Sequence, residues 1–271
     1  MPPPATRNPV RDLIGSALVL SLLGAVYFLD PDTSLQELRA AGSLRACVPQ
    51  LYPPLVTASQ DQPGIDIELL GEIAKSIGVP LTVVRVSAMG QDFNPRNWRV
   101  TRAQCQVLAG GVVDSPLTRS FLDTVGPHAQ TGWAIVSKSG APDIKGKHIA
   151  VLPGISGLDR LALSQALRTA GATPIVTPDA NAFAQALKDG RADAGVTERL
   201  NADRIAAENA WFVDWMPGNL PRFSVVFGLW KGDLTLKRAI AKAMDRLSRD
   251  GVEARILARY LGGKQSASAT P

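Results

Sequence analysis

Three loop segments hold the residues whose types and spacing suit recognition of a small charged molecule. The first is GGVVDSPLTRS, in which two glycines permit close backbone approach, Asp114, Ser115 and Thr118 supply polar groups, and Arg119 presents a planar fork suited to a carboxylate. The second is a pair of loops, one at the end of ADAGVTE and the other PGISG, which places Ser156 and adjacent N–H groups where a helix is expected to begin, a position that favours anions. Glu198, at the end of ADAGVTE, is an acceptor for an ammonium group. The third is LYPPL, where the Tyr52 ring can cover an aliphatic ligand. Taken singly, each has a plainer counterpart: Arg119 as a surface residue, Glu198 as a solvated acid beside Arg199, and LYPPL as a turn stiffened by proline. What joins them is position, since each follows a segment with strand character, and ligands of open α/β sheets bind at the carboxyl ends of strands.

Other chemistries lack their residues. The only histidines, His128 and His148, stand in no recognisable triad, and PGISG is too short for a nucleotide-phosphate loop and lacks the lysine of one. Cys47 and Cys105 have no His-rich or Cys-x-x-Cys context, so no metal site and no cofactor is expected; buried thiols and a disulfide both fit the pair. The net charge of +5 is scattered and interleaved with acids, which reads as a solvated surface with no nucleic-acid partner.

The elements that must position these loops follow from periodicity. SLRACVPQ reads as a strand; IDIELLGEIAKSIG as a helix with Ile67, Leu70, Ile73 and Ile77 on one face and Gly78 closing it; VPLTVVRV as a strand; and CQVLAGGVV as a further strand. A second set repeats this order: IKGKHIAVLPG, the helix LDRLALSQALRTAG, the strand TPIVT, the helix FAQALKDG and the strand ADAGVTE. The repeat implies an α/β fold of two lobes, each a mainly parallel sheet flanked by helices, with the ligand in the cleft between them. TGWAIVSK and FSVVFGLWK are the expected passages between lobes, and a C-terminal helical pair breaks at Asp250-Gly251. The expected boundaries are residues 31–129 with 223–265 for lobe I, 130–222 for lobe II, and 266–271 as a tail.

Arg7 and Arg11 ahead of the uncharged run from Leu13 to Leu29 form the positive and apolar regions of an export signal within residues 1–30. A cleaved signal and a retained anchor are both compatible with its length, and either places the body outside the cytoplasm.

From about Leu35 to Gly262 the phrases LQELRAAGSLRACV, LYPPL, GIDIELLGEIAKSIGVPLTVV, IKGKHIAVLPGISG, ALKDGRADAGVTE and SRDGVEARILARYLG occur in an order that resembles the family 3 extracellular solute-binding proteins, the polar amino-acid class of ABC importers. The resemblance implies a monomeric, two-lobed type II periplasmic-binding fold in the periplasm that closes on a small zwitterion and docks on a membrane permease. By position it implies Arg119, as the Arg of a Thr-x-x-Arg segment, for the ligand carboxylate. Ser156 would assist from the other lobe, Glu198 would take the ammonium and Tyr52 would form the aromatic wall. Val112, Val113 and Asp114 stand where that segment usually carries Ser or Thr, the spacing is shifted, and the added acid favours a cationic ligand or a bridging water. Leu55 replaces an aromatic, and PHAQTGW replaces a Pro-Tyr crossing. The cysteine pair is similar to one in relatives associated with quinoprotein dehydrogenases, and some proteins of this fold act as cyclohexadienyl dehydratases, so an adaptor or sensory module and an enzyme are the alternatives to transport.

Overall fold

The computed structural model describes residues 14, 17–21, 32–90, 94–140, 144–153, 158–218 and 220–262. The chain divides into two units, residues 1–33 and residues 34–271. In the first, residues 14 and 17–21 are helical and exposed, and most of the expected export signal lies outside the described residues. Among the described residues no helix is long and apolar enough to cross a membrane.

The second unit carries two five-stranded sheets. It opens with α1 (Ser34–Ala41), β1 (Leu44–Pro49), α2 (Ile65–Ile77) and β2 (Leu81–Val86), followed by β3 (Val107–Leu108), α3 (Pro116–Phe121) and β4 (Leu122–Thr131). β5 (Trp133–Ser137), β6 (His148–Val151), α4 (Arg160–Thr169), β7 (Thr173–Val176), α5 (Ala180–Lys188), β8 (Ala194–Glu198), α6 (Arg199–Asn209) and β9 (Phe212–Trp215) follow. The chain then returns through β10 (Phe223–Trp230) to α7 (Leu234–Arg249) and α8 (Val252–Leu261). The strand orders are β2-β1-β3-β10-β4 and β7-β6-β8-β5-β9. In each sheet three parallel strands come first, and the antiparallel members are those adjoining the passages between sheets. The two lobes are those expected from the repeat, in the type II architecture that the resemblance implies.

Local chemistry explains most elements. Five of the six β1 residues are buried, as a strand paired on both edges and covered on both faces requires. α2 buries Ile67, Leu70, Ile73 and Ile77, and ends at Gly78 in the left-handed region, whose N–H donates to the Ala74 and Lys75 carbonyls. Gly64, which precedes α2, approaches the Leu55 carbonyl so closely that an added Cβ would lie 2.3 Å from its oxygen. α8 is fixed to the start of α2 by Tyr260, whose hydroxyl donates to Glu68 at 2.5 Å and accepts from Gly64 N–H at 3.0 Å. Burial, then the Glu68 hydrogen bond, push the Tyr260 phenol up to about 12.

The two passages lie side by side. β4 runs antiparallel to β10 as far as the pair Thr131 with Phe223, and Gly132 follows. A Cβ on Gly132 would meet the Trp215 ring at 3.1 Å and the Pro221 carbonyl oxygen at 3.2 Å, so the outgoing passage needs a glycine where the returning one crosses it.

Three expectations are corrected. CQVLAGGVV is not one long strand: β3 covers only Val107 and Leu108, because Gly110 and Gly111 adopt φ of +83° and +93° and turn the chain out of the sheet. Cys105 therefore precedes β3 instead of lying in it; it is bonded to Cys47 of β1 across 58 residues of sequence. GGVVDSPLTRS, read as a loop, turns helical from Pro116 as α3, which leads directly into β4; a register shift between Val225 and Phe227 of β10 accommodates Gly126-Pro127.

Beneath the glycine turn lies a buried polar pair. Asp66 Oδ2 accepts from Gly110 N–H at 2.6 Å and Asp66 Oδ1 meets His128 Nε2 at 2.8 Å, both side chains being fully buried. The His128 ring stacks on Phe227 of β10, with ring centres 4.5 Å apart. Replacing His128 with alanine is expected to cost about 3–5 kcal/mol, as for removal of one member of a buried pair, and urea denaturation followed by circular dichroism reads it. Reduction of the disulfide is expected to cost about 4 kcal/mol for a loop of this length, measured by the same titration with and without reductant.

Candidate functional site

The loop after β1 closes on itself, with Tyr52 N–H donating to Val56 O at 2.8 Å and Val56 N–H to Tyr52 O at 2.9 Å. This seats the Tyr52 ring against the backbone of Gly111, where a Cβ would lie 3.2 Å from Cε1. The two glycines that leave room for a close approach are thus approached by the protein itself, through Tyr52 at Gly111 and Pro49 at Gly110. Tyr52 is only 5% exposed. Burial first, then the charges of Glu198 and Asp66, push its phenol well above its ordinary value.

Asp114, Ser115 and Arg119 come together at α3. Ser115 is its N-cap, accepting from Thr118 N–H at 3.1 Å, with Pro116 as the first helical residue. Three residues beyond this capping hydroxyl stands Thr118, fully buried, with its own hydroxyl 3.0 Å from Ser115 Oγ. Arg119 is one residue further, about 100° round the helix, with its side chain 62% exposed. The expected Thr-x-x-Arg spacing therefore ends on Thr118. Arg119 instead donates through Nε to Asp114 Oδ1 at 2.6 Å and through Nη2 to Asp114 Oδ2 at 2.9 Å. Asp114 N–H donates to the Ser224 carbonyl at 2.8 Å, which ties the acid to β10.

In the other lobe Glu198 ends β8 and caps α6. It is 1% exposed and accepts from Leu200 N–H at 3.1 Å, Asn201 N–H at 3.0 Å and the Thr131 hydroxyl. Burial pushes its carboxyl up to about 7, against the lowering effect of those three donors. The next residue, Arg199, donates to Asp203 and stacks over Trp215, 4.6 Å from the ring centre. Leu200 packs into the same core cluster as Tyr52 and Leu55 of the first lobe. The charge of Glu198 in this lobe is felt by the Tyr52 phenol of the first. Ser156 lies outside the described residues.

Sequence reasoning did not single out Asp66, His128 or Thr131. The available signal for Asp66 was an acid between two isoleucines at the start of an amphipathic helix; for Thr131 it was a hydroxyl at the passage between lobes. A separate hollow of about 410 Å³ lies beside β4, between Arg199 and Trp215 on one side and Met244, Asp245 and Glu253 on the other. None of the residues expected from sequence lines it. Among the described residues no group of His, Cys, Asp and Glu could hold a metal ion.

Several known proteins are similar to this chain. An ancestral cationic amino acid solute-binding protein superposes with a TM-score of 0.67 at 20% identity, covering 84% of this chain and 99% of that one. The L-cystine solute receptor of Neisseria gonorrhoeae, in its unliganded open conformation, gives 0.64 at 18% identity, with 84% and 96% covered. At these identities the likeness shows the fold. In sequence, the chain is 28% identical over 159 residues to membrane-bound lytic murein transglycosylase F of Aeromonas hydrophila, a stretch that takes in 56% of this chain and 30% of that protein's length. Residues 44–263 match the bacterial extracellular solute-binding proteins, family 3, and the chain belongs to that family.

Proposed function

We propose that this chain is the extracytoplasmic solute-binding component of an ABC-type importer, which takes a small amino-acid-like solute between its lobes and presents the closed form to a membrane permease. The observation that carries the reading is that Glu198 of one lobe and Tyr52 of the other are both buried and lie within electrostatic reach of each other. A solute admitted there touches both lobes at once, so its binding energy favours closure. Glu198 supplies a carboxylate in a site from which water is excluded, where a charge-assisted bond to an ammonium is strongest. Family membership, the export signature ahead of residue 30 and a disulfide suited to an oxidising compartment support a periplasmic location.

A second reading rests on the same acid. A buried carboxyl raised to about 7 can act as a general acid at neutral pH, which favours a dehydratase-like enzyme. Turnover of prephenate or arogenate would establish that reading. The disulfide also keeps open a dehydrogenase-associated or sensory role, for which the neighbouring genes are the discriminating observation.

Calorimetric titration with amino acids, amines and small carboxylates is expected to find an ammonium-bearing ligand. Because the Glu198 carboxyl titrates near 7, affinity is expected to rise as pH increases through neutrality. Glu198→Gln is expected to lower affinity about 10- to 100-fold, the range for a hydrogen bond to a charged group, and to flatten the pH profile. The unliganded protein has the opposite dependence. A carboxyl raised from 4.5 to about 7 holds its proton longer folded than unfolded, so its contribution to stability declines as pH rises between those values. Affinity that is unchanged and equally pH-dependent after loss of both Tyr52 and Glu198 would remove this cleft as the solute site.

A further inference from the structure

We infer that the cleft selects an amine that lacks an α-carboxylate, and that Asp114 is the residue that sets this preference, by occupying on Arg119 the place a substrate carboxylate would take. The inference rests on the reading of the cleft as the solute site and narrows its ligand class.

Arg119 meets its acid in the bidentate geometry by which guanidinium recognises carboxylate, through Nε and Nη2 to the two oxygens of Asp114. The pair neutralises itself, so a second carboxylate brought to Arg119 meets a negative neighbour within hydrogen-bond distance of the same guanidinium. Asp114 is poorly placed to swing aside. Its backbone N–H is held by Ser224 of β10, and Thr124 offers a hydroxyl to its Oδ1 at 3.4 Å. Displacing Asp114 would also leave an acid, itself only 26% exposed, without its cation. Arg119 is largely in water, where solvent and salt screen any ion pair it makes. The α3 position that is buried carries Thr118, a neutral residue with no fork to offer.

The remaining charges point the other way. Tyr52 lies in the field of both Glu198 and Asp66. Asp66 already has His128 and Gly110 as partners, whereas Glu198 is held only by neutral donors, the Thr131 hydroxyl and two backbone N–H groups. The junction of the lobes therefore has an aromatic ring and a carboxyl that lacks a cationic partner among these contacts. This suits a protonated amine. An amino acid brings the same ammonium together with a carboxylate that must be desolvated, and neither Arg119, already held by Asp114, nor the neutral Thr118 offers a free fork to receive it.

The test compares each amino acid with the amine made by removing its carboxylate: lysine with cadaverine, arginine with agmatine, and phenylalanine with phenethylamine. Calorimetric titration of the full chain is expected to show at least one amine binding tenfold or more tightly than its parent amino acid. In Asp114→Asn, which keeps the side-chain shape and frees the guanidinium, the preference is expected to shift by at least tenfold towards the amino acid. Amino acids that bind wild-type protein as tightly as their amines overturn the inference and leave the solute-binding reading in place. An amine preference that persists undiminished in Asp114→Asn overturns the role of Asp114. If neither set binds while other solutes do, the ligand class falls; if no solute of any class binds, the solute-binding reading falls with it.

Discussion

A carboxylate with no exposure to water lies beneath the cleft, and the elements around it are arranged by its need for donors. Asp66 receives Gly110 N–H on one oxygen and faces His128 Nε2 with the other. It thereby links the start of α2, the glycine turn after β3 and the strand β4 that leads to the second lobe. His128 in turn lies against Phe227 of β10, the strand by which the chain returns. Burying an ionised acid is tolerable only when its lone pairs are engaged with good geometry, so the pair specifies one arrangement of these four segments. Both strands that adjoin the passages are braced within the first lobe. Beyond them the chain passes to the second sheet at Gly132, where a larger residue would press on Trp215 and Pro221.

The sequence was most legible where one physical signal acted alone. The spacing of Ile67, Leu70, Ile73 and Ile77, with Gly78 behind them, marks α2 because a helix buried on one side needs that period and a left-handed residue to end it. Where two signals conflicted, reading failed. The valines of CQVLAGGVV have strand character, yet Gly110 and Gly111 are needed for positive φ and for room beside Pro49 and Tyr52, so the strand ends after two residues. In β4, Gly126-Pro127 has the appearance of a chain break but lies in a strand whose partner shifts register to admit it. α3 is too short for periodicity to reveal it; only Ser115 followed by Pro116 announces it. RLNADRIAAEN forms α6 with a buried face that includes Asp203, a charged residue that pairs with Arg199 four positions earlier and so interrupts the apolar period.

For the cleft, position was easier to read than role. Tyr52 and Glu198 follow strands that end at the junction, as expected of ligand-binding loops in this architecture. What sequence alone does not convey is how much of each group's bonding capacity the fold already uses. Glu198 looked like a solvated acid or an ammonium ligand, and it caps α6 with both oxygens while buried. Ser115 looked like a ligand hydroxyl, and it caps α3. The one-residue difference between Thr118 and Arg119 decides which side chain is buried and which is in water, because each step along a helix turns the side chain by about 100°.

These satisfied groups determine what the junction of the lobes can recognise. Three neutral donors hold Glu198, yet burial still outweighs them and lifts its carboxyl to about 7, so at neutral pH it lies between its charged and uncharged forms. A group balanced in this way responds to whatever charge is brought beside it. A cation draws it to the carboxylate and recovers the attraction that desolvation withholds, whereas an anion drives it to the acid and gains only a weaker, neutral hydrogen bond. The asymmetry does not require the acid to move, since its place is fixed by the first turn of α6. It requires only that water be kept away, and the fold already withdraws Glu198 almost completely from it.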